Sequence, residues 1–223
     1  MHENDQQILD SWTDNAALWT DAVREGQIGS RVRCTDQAVI KAVLDQSPKT
    51  VLDLGCGEGW LSRALAAQGC TVTGVDAIES LIEQARLHGG ADFSPCSYQQ
   101  IIAGELKVQV DTLVCNFALF ADESVEALLS ALPSLLSKDG TLVIQTLHPV
   151  VACADQPYID GWREGSWAGF SNQFCNPAPW YFRTLGSWIT LINSAGFTLR
   201  EMREPVDPET NKPASVIFIA QPS

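Results

Sequence analysis

A glycine-rich turn between a short apolar run and an amphipathic segment most constrains what this chain can fold into. Residues 51–54 are apolar and β-prone, and glycines follow at positions 55, 57 and 59. Apolar residues then recur at helical spacing from Trp60 onwards. A strand–turn–helix of this kind lets the backbone approach a ligand closely. The next predicted strand, residues 71–75, is followed by Asp76, at a distance from Gly55 that is typical of a carboxylate beside a nucleotide ribose.

The spacing of the glycines distinguishes between classes of nucleotide ligand. The dinucleotide fingerprint G-x-G-x-x-G would need a glycine where this chain has Trp60. Asp53 instead precedes Gly55 by two positions, so the segment reads D-x-G-x-G-x-G and is followed by Asp76. This combination resembles motifs I and II of the class I S-adenosylmethionine-dependent methyltransferases. The alternative interpretation is a glycine-rich turn that binds nothing.

The resemblance implies S-adenosyl-L-methionine as the cofactor and points to the residues that would contact it. Arg31, in a predicted loop over residues 26–33, is similar to an arginine that meets the methionine carboxylate in this family; a surface arginine is an equal alternative. Residues 116–120 resemble motif IV, at the strand end where cofactor and acceptor meet. The cofactor-binding residues that the resemblance implies are Arg31, Asp53, Gly55, Cys56, Gly57, Asp76, Ala77, Ser97, Tyr98, Asn116 and Phe117.

The segment after the third predicted strand departs from the family pattern. In related methyltransferases an acid here accepts a hydrogen bond from the adenine amine, and the next backbone amide meets the ring. Ser97 takes the place of that acid, and Tyr98 follows it. A neutral hydroxyl makes a weaker hydrogen bond than a carboxylate does. We therefore expect a weaker adenine contact than ribose contact.

The order of the predicted elements defines the fold class. Strands and helices alternate as a doubly wound sheet requires, and two final strands form an antiparallel hairpin, a hallmark of the family that the chain resembles. We expect an α/β, Rossmann-like sheet of seven strands, the last antiparallel, with helices on both faces. The expected regions are an N-terminal helix and cleft-covering segment (1–35), a cofactor-binding core (36–147), an aromatic lid insertion (148–183), and a C-terminal helix with the hairpin (184–223).

The insertion of residues 148–183 is too long for an ordinary connection and too aromatic for a disordered one. It follows the fifth strand, on the side of the sheet where α/β proteins bind ligands. We interpret it as a lid over an acceptor, with an extra packing layer or a dimer interface as the alternative. Trp167, Tyr181 and Arg183 are the candidate acceptor-binding residues, although Arg183 could equally be a surface charge. His148 is the candidate general base; a loop histidine that bonds the backbone is the alternative.

Charge and cysteine content narrow the expected partners. A net charge of −13 with no basic run disfavours nucleic acid. No apolar run approaches the roughly 20 residues that span a bilayer, and the acidic N-terminus is unlike a signal peptide. Seven scattered cysteines without a C-x-x-C pair indicate reduced thiols in the cytoplasm and no metal site. We expect a small-molecule acceptor, no nucleic-acid or membrane partner, and a monomer or homodimer.

The function that these patterns favour is transfer of a methyl group from S-adenosylmethionine to a small acceptor by in-line displacement. Two alternatives remain open. One is a cofactor-binding regulator or partner subunit without catalytic activity. The other is a nicotinamide-dependent oxidoreductase, against which Trp60 and the terminal hairpin both count.

Overall fold

A computed structural model describes residues 3–223 of the chain. These residues form a mixed β-sheet between two layers of helices. Its strands are β1 (Thr50–Leu54), β2 (Thr71–Asp76), β3 (Asp92–Pro95), β4 (Val110–Asn116), β5 (Leu136–Thr146), β6 (Gly161–Arg163), β7 (Trp180–Phe182), β8 (Phe197–Arg203), β9 (Val206–Asp207), β10 (Lys212–Pro213) and β11 (Val216–Pro222). Its α-helices are α1 (Glu3–Arg24), α2 (Asp36–Leu44), α3 (Trp60–Ala66), α4 (Glu79–His88), α5 (Tyr98–Ile102), α6 (Glu123–Ala131), α7 (Pro149–Ala152) and α8 (Leu185–Ser194).

Seven strands form the main sheet in the order β3-β2-β1-β4-β5-β11-β8. Strands β1 to β5 are parallel, whereas β11 runs antiparallel to both β5 and β8. Two short antiparallel pairs, β6–β7 and β9–β10, lie outside this sheet. The expected Rossmann-like sheet with an antiparallel last strand and a terminal hairpin is therefore confirmed.

Strand β1 shows why helices cover both faces of the sheet. Its side chains alternate between two hydrophobic clusters: Leu52 and Leu54 belong to the cluster with α6 and α8, and Val51 to the cluster with α2 and α3. All three side chains are at most 1% exposed. Burying an aliphatic side chain of this size contributes about 1.5–3 kcal/mol. The apolar run therefore fixes β1 in the centre of the sheet, and the glycine turn that follows it lies at the carboxyl edge.

One local expectation is corrected. The predicted loop 26–33 instead leads into a turn of π-helix, Arg31–Thr35, which continues directly into α2. Helix α6 ends at Ala131 and passes into a 3₁₀-helix, Leu132–Leu135. Pro133 explains the change, because it has no N–H for the α-helical ladder.

The insertion 148–183 is folded, with α7 and the β6–β7 pair as its regular elements. It meets α1 at Asn15, whose side-chain amide donates to the Cys175 carbonyl at 2.8 Å and accepts the Cys175 N–H at 3.0 Å. We call α1 and the insertion together the cover. No helix within residues 3–223 has the length and apolar character needed to cross a membrane.

Candidate functional site

A cavity of about 490 Å³ opens at the carboxyl ends of β1, β2 and β4, beneath the cover. The sheet edge contributes the glycine turn, Asp76 and the segment after β4, and the cover contributes aromatic side chains. This is the place where open α/β sheets bind ligands. The aromatic residues in its wall are Trp12, Trp19, Trp60, Tyr98, Phe117, Phe120, Trp167, Phe170 and Trp180.

The glycine turn fits closely against the neighbouring loop. Gly55 has a φ of 74°, and a Cβ at this position would lie 2.5 Å from the Cβ of Ala118. The N–H groups of Gly55 and Cys56 both donate to the Val75 carbonyl, at 2.8 and 3.0 Å. The Gly57 N–H donates to Asp76. Because these three donors are already used within the protein, the turn brings the backbone close to a ligand without offering these amides to a phosphate.

The Asp76 carboxylate is held by the backbone on both of its oxygens. Oδ2 accepts the Gly57 N–H at 2.9 Å, and Oδ1 accepts the Ile78 N–H at 2.9 Å. Burial raises the pKa of this carboxyl, and the backbone hydrogen bonds oppose the rise. A carboxylate oxygen can accept a second hydrogen bond. The half-buried group thus presents two oriented acceptors to the cavity, as two vicinal hydroxyls require.

Asp53 lies deeper, 1% exposed, and accepts the Ser62 hydroxyl at 2.6 Å. Burial raises its pKa to about 7; the Ser62 hydrogen bond opposes this rise and the Asp76 charge adds to it. An ordinary aspartate has a pKa near 3.9 when unfolded. The folded state therefore binds this proton more tightly than the unfolded state does. As a result, the contribution of Asp53 to the free energy of unfolding is lost as the pH rises towards 7.

Asp53→Asn should flatten the pH dependence of stability. The wild-type protein should lose about 2 kcal/mol of unfolding free energy from this group between pH 5.5 and 8, whereas the amide does not titrate. Urea unfolding at both pH values measures the difference. Asp10→Asn, at an exposed site on α1, is the control and should behave as wild type. An equal loss in Asp53→Asn and wild type would contradict the raised pKa.

Arg31 is placed to hold an anion in the cavity. It is 8% exposed, so the surface alternative is excluded. Its Nε donates to Asp36 at 2.9 Å, and its guanidinium lies over the Trp60 ring at 4.6 Å. Within residues 3–223, its two terminal amino groups have no hydrogen-bond partner. These groups can therefore form the paired hydrogen bonds that a carboxylate accepts.

The end of β4 contributes a constrained backbone. Phe117 has a φ of 51°, which is uncommon for a bulky residue, and donates its N–H to the Gln145 carbonyl at 2.8 Å. The Asn116 side-chain oxygen accepts from the Gln145 side chain at 2.7 Å. Strained backbone of this kind is found at functional sites. The two residues are thus fixed in the cavity wall at the carboxyl end of β4.

Most of the residues singled out from the sequence meet in this cavity. The wall contains Arg31, Asp53, Gly55, Cys56, Gly57, Asp76, Ala77, Tyr98, Asn116, Phe117 and Trp167. Their roles towards a ligand remain predictions. Four other candidates lie outside the wall: Ser97, His148, Tyr181 and Arg183.

Ser97 is the N-cap of α5 and lies outside the cavity wall. Its hydroxyl accepts the Gln100 N–H at 3.3 Å, and its own N–H donates to the Gln100 side chain at 2.9 Å. This reciprocal capping box uses the hydroxyl that was expected to face adenine. Tyr98 and Gln99 reach the cavity instead, and Gln99 was not identified from the sequence.

His148, the candidate general base, lies outside the cavity wall. It is the N-cap residue of α7 and is 3% exposed. Its Nε2 lies 2.7 Å from the Glu204 carboxylate, just beyond β8. Its role as a base stays a prediction.

Tyr181 and Arg183 line a separate small cavity of about 10 Å³. Arg183 is buried and donates to the Ala121 and Asp122 carbonyls at 2.7 and 3.0 Å, and to the Asp122 carboxylate at 3.0 Å. The Tyr181 N–H donates to the Phe120 carbonyl at 2.7 Å. These residues attach the insertion to the segment after β4 and lie outside the wall of the large cavity, and their contact with an acceptor stays a prediction.

Aromatic packing and an ion pair hold α1 over the cavity. Trp12 lies edge-on to Trp19 and Trp167, with ring centroids 5.0 and 5.8 Å apart. Glu58, within the glycine turn, pairs with Arg24 of α1 at 3.1 Å and with Arg63 at 2.6 Å. Trp12 and Trp19 of α1 therefore pack against other aromatic rings and also form part of the cavity wall.

Comparisons with known proteins agree with this geometry. A family model described as a methyltransferase domain matches residues 30–202. The ubiquinone biosynthesis O-methyltransferase of Xylella fastidiosa (strain M23) is 36% identical over 107 residues, which are 46% of this chain and 43% of that protein. The enzyme of that name from Rickettsia canadensis (strain McKiel) is 26% identical over 166 residues, 71% of this chain and 66% of that protein. The chain thus spans less than half the length of the Xylella relative.

Two solved structures share the fold. A 1,6-didemethyltoxoflavin-N1-methyltransferase from Burkholderia thailandensis matches with a TM-score of 0.70 at 19% identity, covering 100% of this chain and 90% of that chain. An S-adenosylmethionine dependent methyltransferase from Mesorhizobium loti matches with a TM-score of 0.62 at 22% identity, covering 81% of this chain and 96% of that chain.

Proposed function

Because the chain belongs to the methyltransferase domain family, we propose that it transfers a methyl group from S-adenosyl-L-methionine to a small planar acceptor. The observation that carries this proposal is the Asp76 carboxylate, held by Gly57 and Ile78 beside a turn in which the Gly55, Cys56 and Gly57 N–H groups are already used. That arrangement suits a nucleoside with free hydroxyls. It offers the pyrophosphate of a dinucleotide fewer free backbone N–H groups in the turn.

The residues in the wall fit the parts of the cofactor. Asp76 supplies two acceptors for the ribose hydroxyls, and Arg31 supplies donors for the methionine carboxylate. Asp53 places a negative charge beneath the turn when it is ionised. When bound, S-adenosylmethionine supplies an electrophilic methyl group on a positively charged sulfur. The protein's task is to align the acceptor with that methyl, and alignment alone can contribute roughly 7–11 kcal/mol.

The aromatic part of the wall favours a planar acceptor. Trp12, Phe120, Trp167, Phe170 and Trp180 bound the cavity from the cover and from the segment after β4. Apolar and aromatic walls with few polar groups are typical of small-molecule sites, and they exclude water from the reacting atoms. The shared name of the relatives favours oxygen as the methylated atom. We therefore expect a phenolic acceptor.

The cover is assigned the role of a lid. Its support is the contact between its two parts: Trp167 lies against Trp12, and Asn15 holds Cys175 by two hydrogen bonds. The regions 36–147 and 184–223 then form the cofactor-binding core, and 1–35 and 148–183 close it. In this arrangement an acceptor is enclosed between the Phe117 end of the sheet and the insertion.

The cellular setting follows from charge and thiol content. Each of the seven cysteines is a free thiol, which favours the reducing cytoplasm. The net charge of −13 favours a small-molecule substrate over nucleic acid. We place the protein in the cytoplasm as a monomer or homodimer.

Calorimetry with S-adenosylhomocysteine and with NAD⁺ tests the cofactor. We expect S-adenosylhomocysteine to bind and NAD⁺ to show no binding at millimolar concentration. Tighter binding of NAD⁺ would overturn the assignment. Incubation with S-adenosylmethionine and a panel of phenols and aromatic amines, with S-adenosylhomocysteine release as the readout, then tests catalysis. Binding without release from any acceptor would favour the non-catalytic alternative.

A further inference from the structure

Asp5 is a buried carboxylate in the cavity wall that lacks a partner among residues 3–223. It is 7% exposed, and within residues 3–223 it has no hydrogen bond to its side chain and no ion pair. An acid in the first turn of a helix interacts favourably with the helix dipole. This interaction does not explain the burial of Asp5, because Glu3 lies in the same turn and is exposed. Burying a charge without a partner is costly. The position of Asp5 therefore points to a hydrogen-bond donor on a ligand.

The other three carboxylates in the wall already have hydrogen-bond or ion-pair partners, so Asp5 is the only wall carboxylate without one among the described residues. The existing pairs are Asp53 with Ser62, Asp76 with Gly57 and Ile78, and Glu58 with Arg24 and Arg63.

Asp5 and the segment after β3 line the same cavity, the latter through Tyr98 and Gln99. Burial raises the pKa of the Tyr98 hydroxyl well above its ordinary value, and Cys115, Asp76 and Asp5 add to this rise electrostatically. Asp5 is therefore near enough to Tyr98 for its charge to act on the hydroxyl. This is the segment at which the adenine ring is expected, and its Ser97 hydroxyl is turned into the α5 cap.

We propose that Asp5 accepts a hydrogen bond from the exocyclic amine of the cofactor's adenine, in place of the acid that this chain lacks at Ser97. The inference rests on the proposed function, because it takes S-adenosylmethionine as the ligand. The acid reaches the ring from α1, across the cavity from the sheet edge. The N-terminal helix is then a part of the cofactor site as well as a cover over it.

The test compares two ligands that differ only at this amine. Calorimetry measures the dissociation constants of S-adenosylhomocysteine and of its 6-deamino analogue, in which hydrogen replaces the amine of the purine, for the full chain and its variants. Asp5→Ala should weaken S-adenosylhomocysteine binding about tenfold or more, as expected for loss of a charged hydrogen bond. It should leave the affinity for the analogue nearly unchanged. Asp5→Asn, which keeps a neutral acceptor, should show a smaller loss.

The control is Asp10→Ala, which removes an exposed acid from the same helix; Asp10 accepts only from Gln6 within the described chain. It should keep the wild-type preference for adenine over the 6-deamino purine. A merely structural role of Asp5 would weaken both ligands equally and leave that preference unchanged, which would overturn the inference. Unchanged binding of both ligands with slower turnover would also overturn it, because Asp5 would then contact the acceptor. Failure of the wild-type protein to bind S-adenosylhomocysteine would overturn the proposed function itself.

Discussion

Asp76→Ala should weaken S-adenosylhomocysteine binding by about 100-fold. The substitution removes two charge-assisted hydrogen bonds to the ribose hydroxyls, each worth at least about 1.5 kcal/mol. It also frees the Gly57 and Ile78 N–H groups that the carboxylate holds, so the glycine turn loses its attachment to β2 on that side. Calorimetry with the folded variant measures the loss.

The matched control for this variant is Asp111→Ala. Asp111 also accepts two backbone N–H groups, from Lys49 and Thr50 at 3.0 Å each, but it precedes the strand end that faces the cavity and lies outside the wall. Its loss should lower the melting temperature and leave S-adenosylhomocysteine affinity within about twofold. If Asp76→Ala binds as tightly as the control does, Asp76 is not the acid that holds the ribose.

Trp167→Ala should reduce turnover by roughly 10- to 100-fold while S-adenosylhomocysteine affinity stays nearly unchanged. The indole lies in the cavity wall, contacts Trp12 and Phe174 with centroids 5.8 and 4.9 Å away, and donates its Nε1–H to the Cys175 carbonyl at 2.8 Å. Removing it opens the acceptor end to water and loosens the position of the acceptor, and misplacement by about 1 Å can cost a factor of about 100 in rate. Steady-state kinetics with the phenol that reacts best, together with calorimetry, separates the two effects.

Trp162→Ala is the control for the insertion. Trp162 lies on β6, is 37% exposed, and packs on Tyr181 outside the cavity wall. It should keep wild-type kinetics. A packing layer in place of a lid would give a different result for Trp167→Ala: a lower melting temperature with unchanged kinetics of the folded fraction.

The parts of the site that could be predicted from the sequence depend on residues close together in the chain. A strand that ends in a glycine turn, followed by a helix and a second strand ending in an acid, fixes where Gly57 and Asp76 meet. The capping of α5 was also readable, because Ser97 followed by Gln100 matches the S-x-x-Q capping-box pattern. The resemblance to the family, which placed Ser97 beside the adenine, led away from this capping signal.

The parts that could not be predicted depend on contacts between distant segments. His148 is held by Glu204, 56 positions away, and Arg183 by Asp122, 61 positions away. Neither pair has a local sequence signature, so the direction of each side chain becomes clear only in the folded chain. Hydrophobic periodicity predicts the buried face of a helix but ignores acids, so Asp5 on the cavity face of α1 was missed.

The two-bond contact between Asn15 and Cys175 has a consequence for how this fold can diverge. It joins α1 and the insertion into one continuous layer of side chains over the cavity, opposite a sheet edge built from glycine conformations and backbone hydrogen bonds. The glycine-rich sheet edge tolerates few replacements, whereas the side chains of the cover can change size and polarity at small cost. New acceptor preferences can therefore arise in the insertion without disturbing the nucleoside end. Helix α1 is the exception, because a substitution near Asp5 and Trp12 alters the fit of both ligands at once.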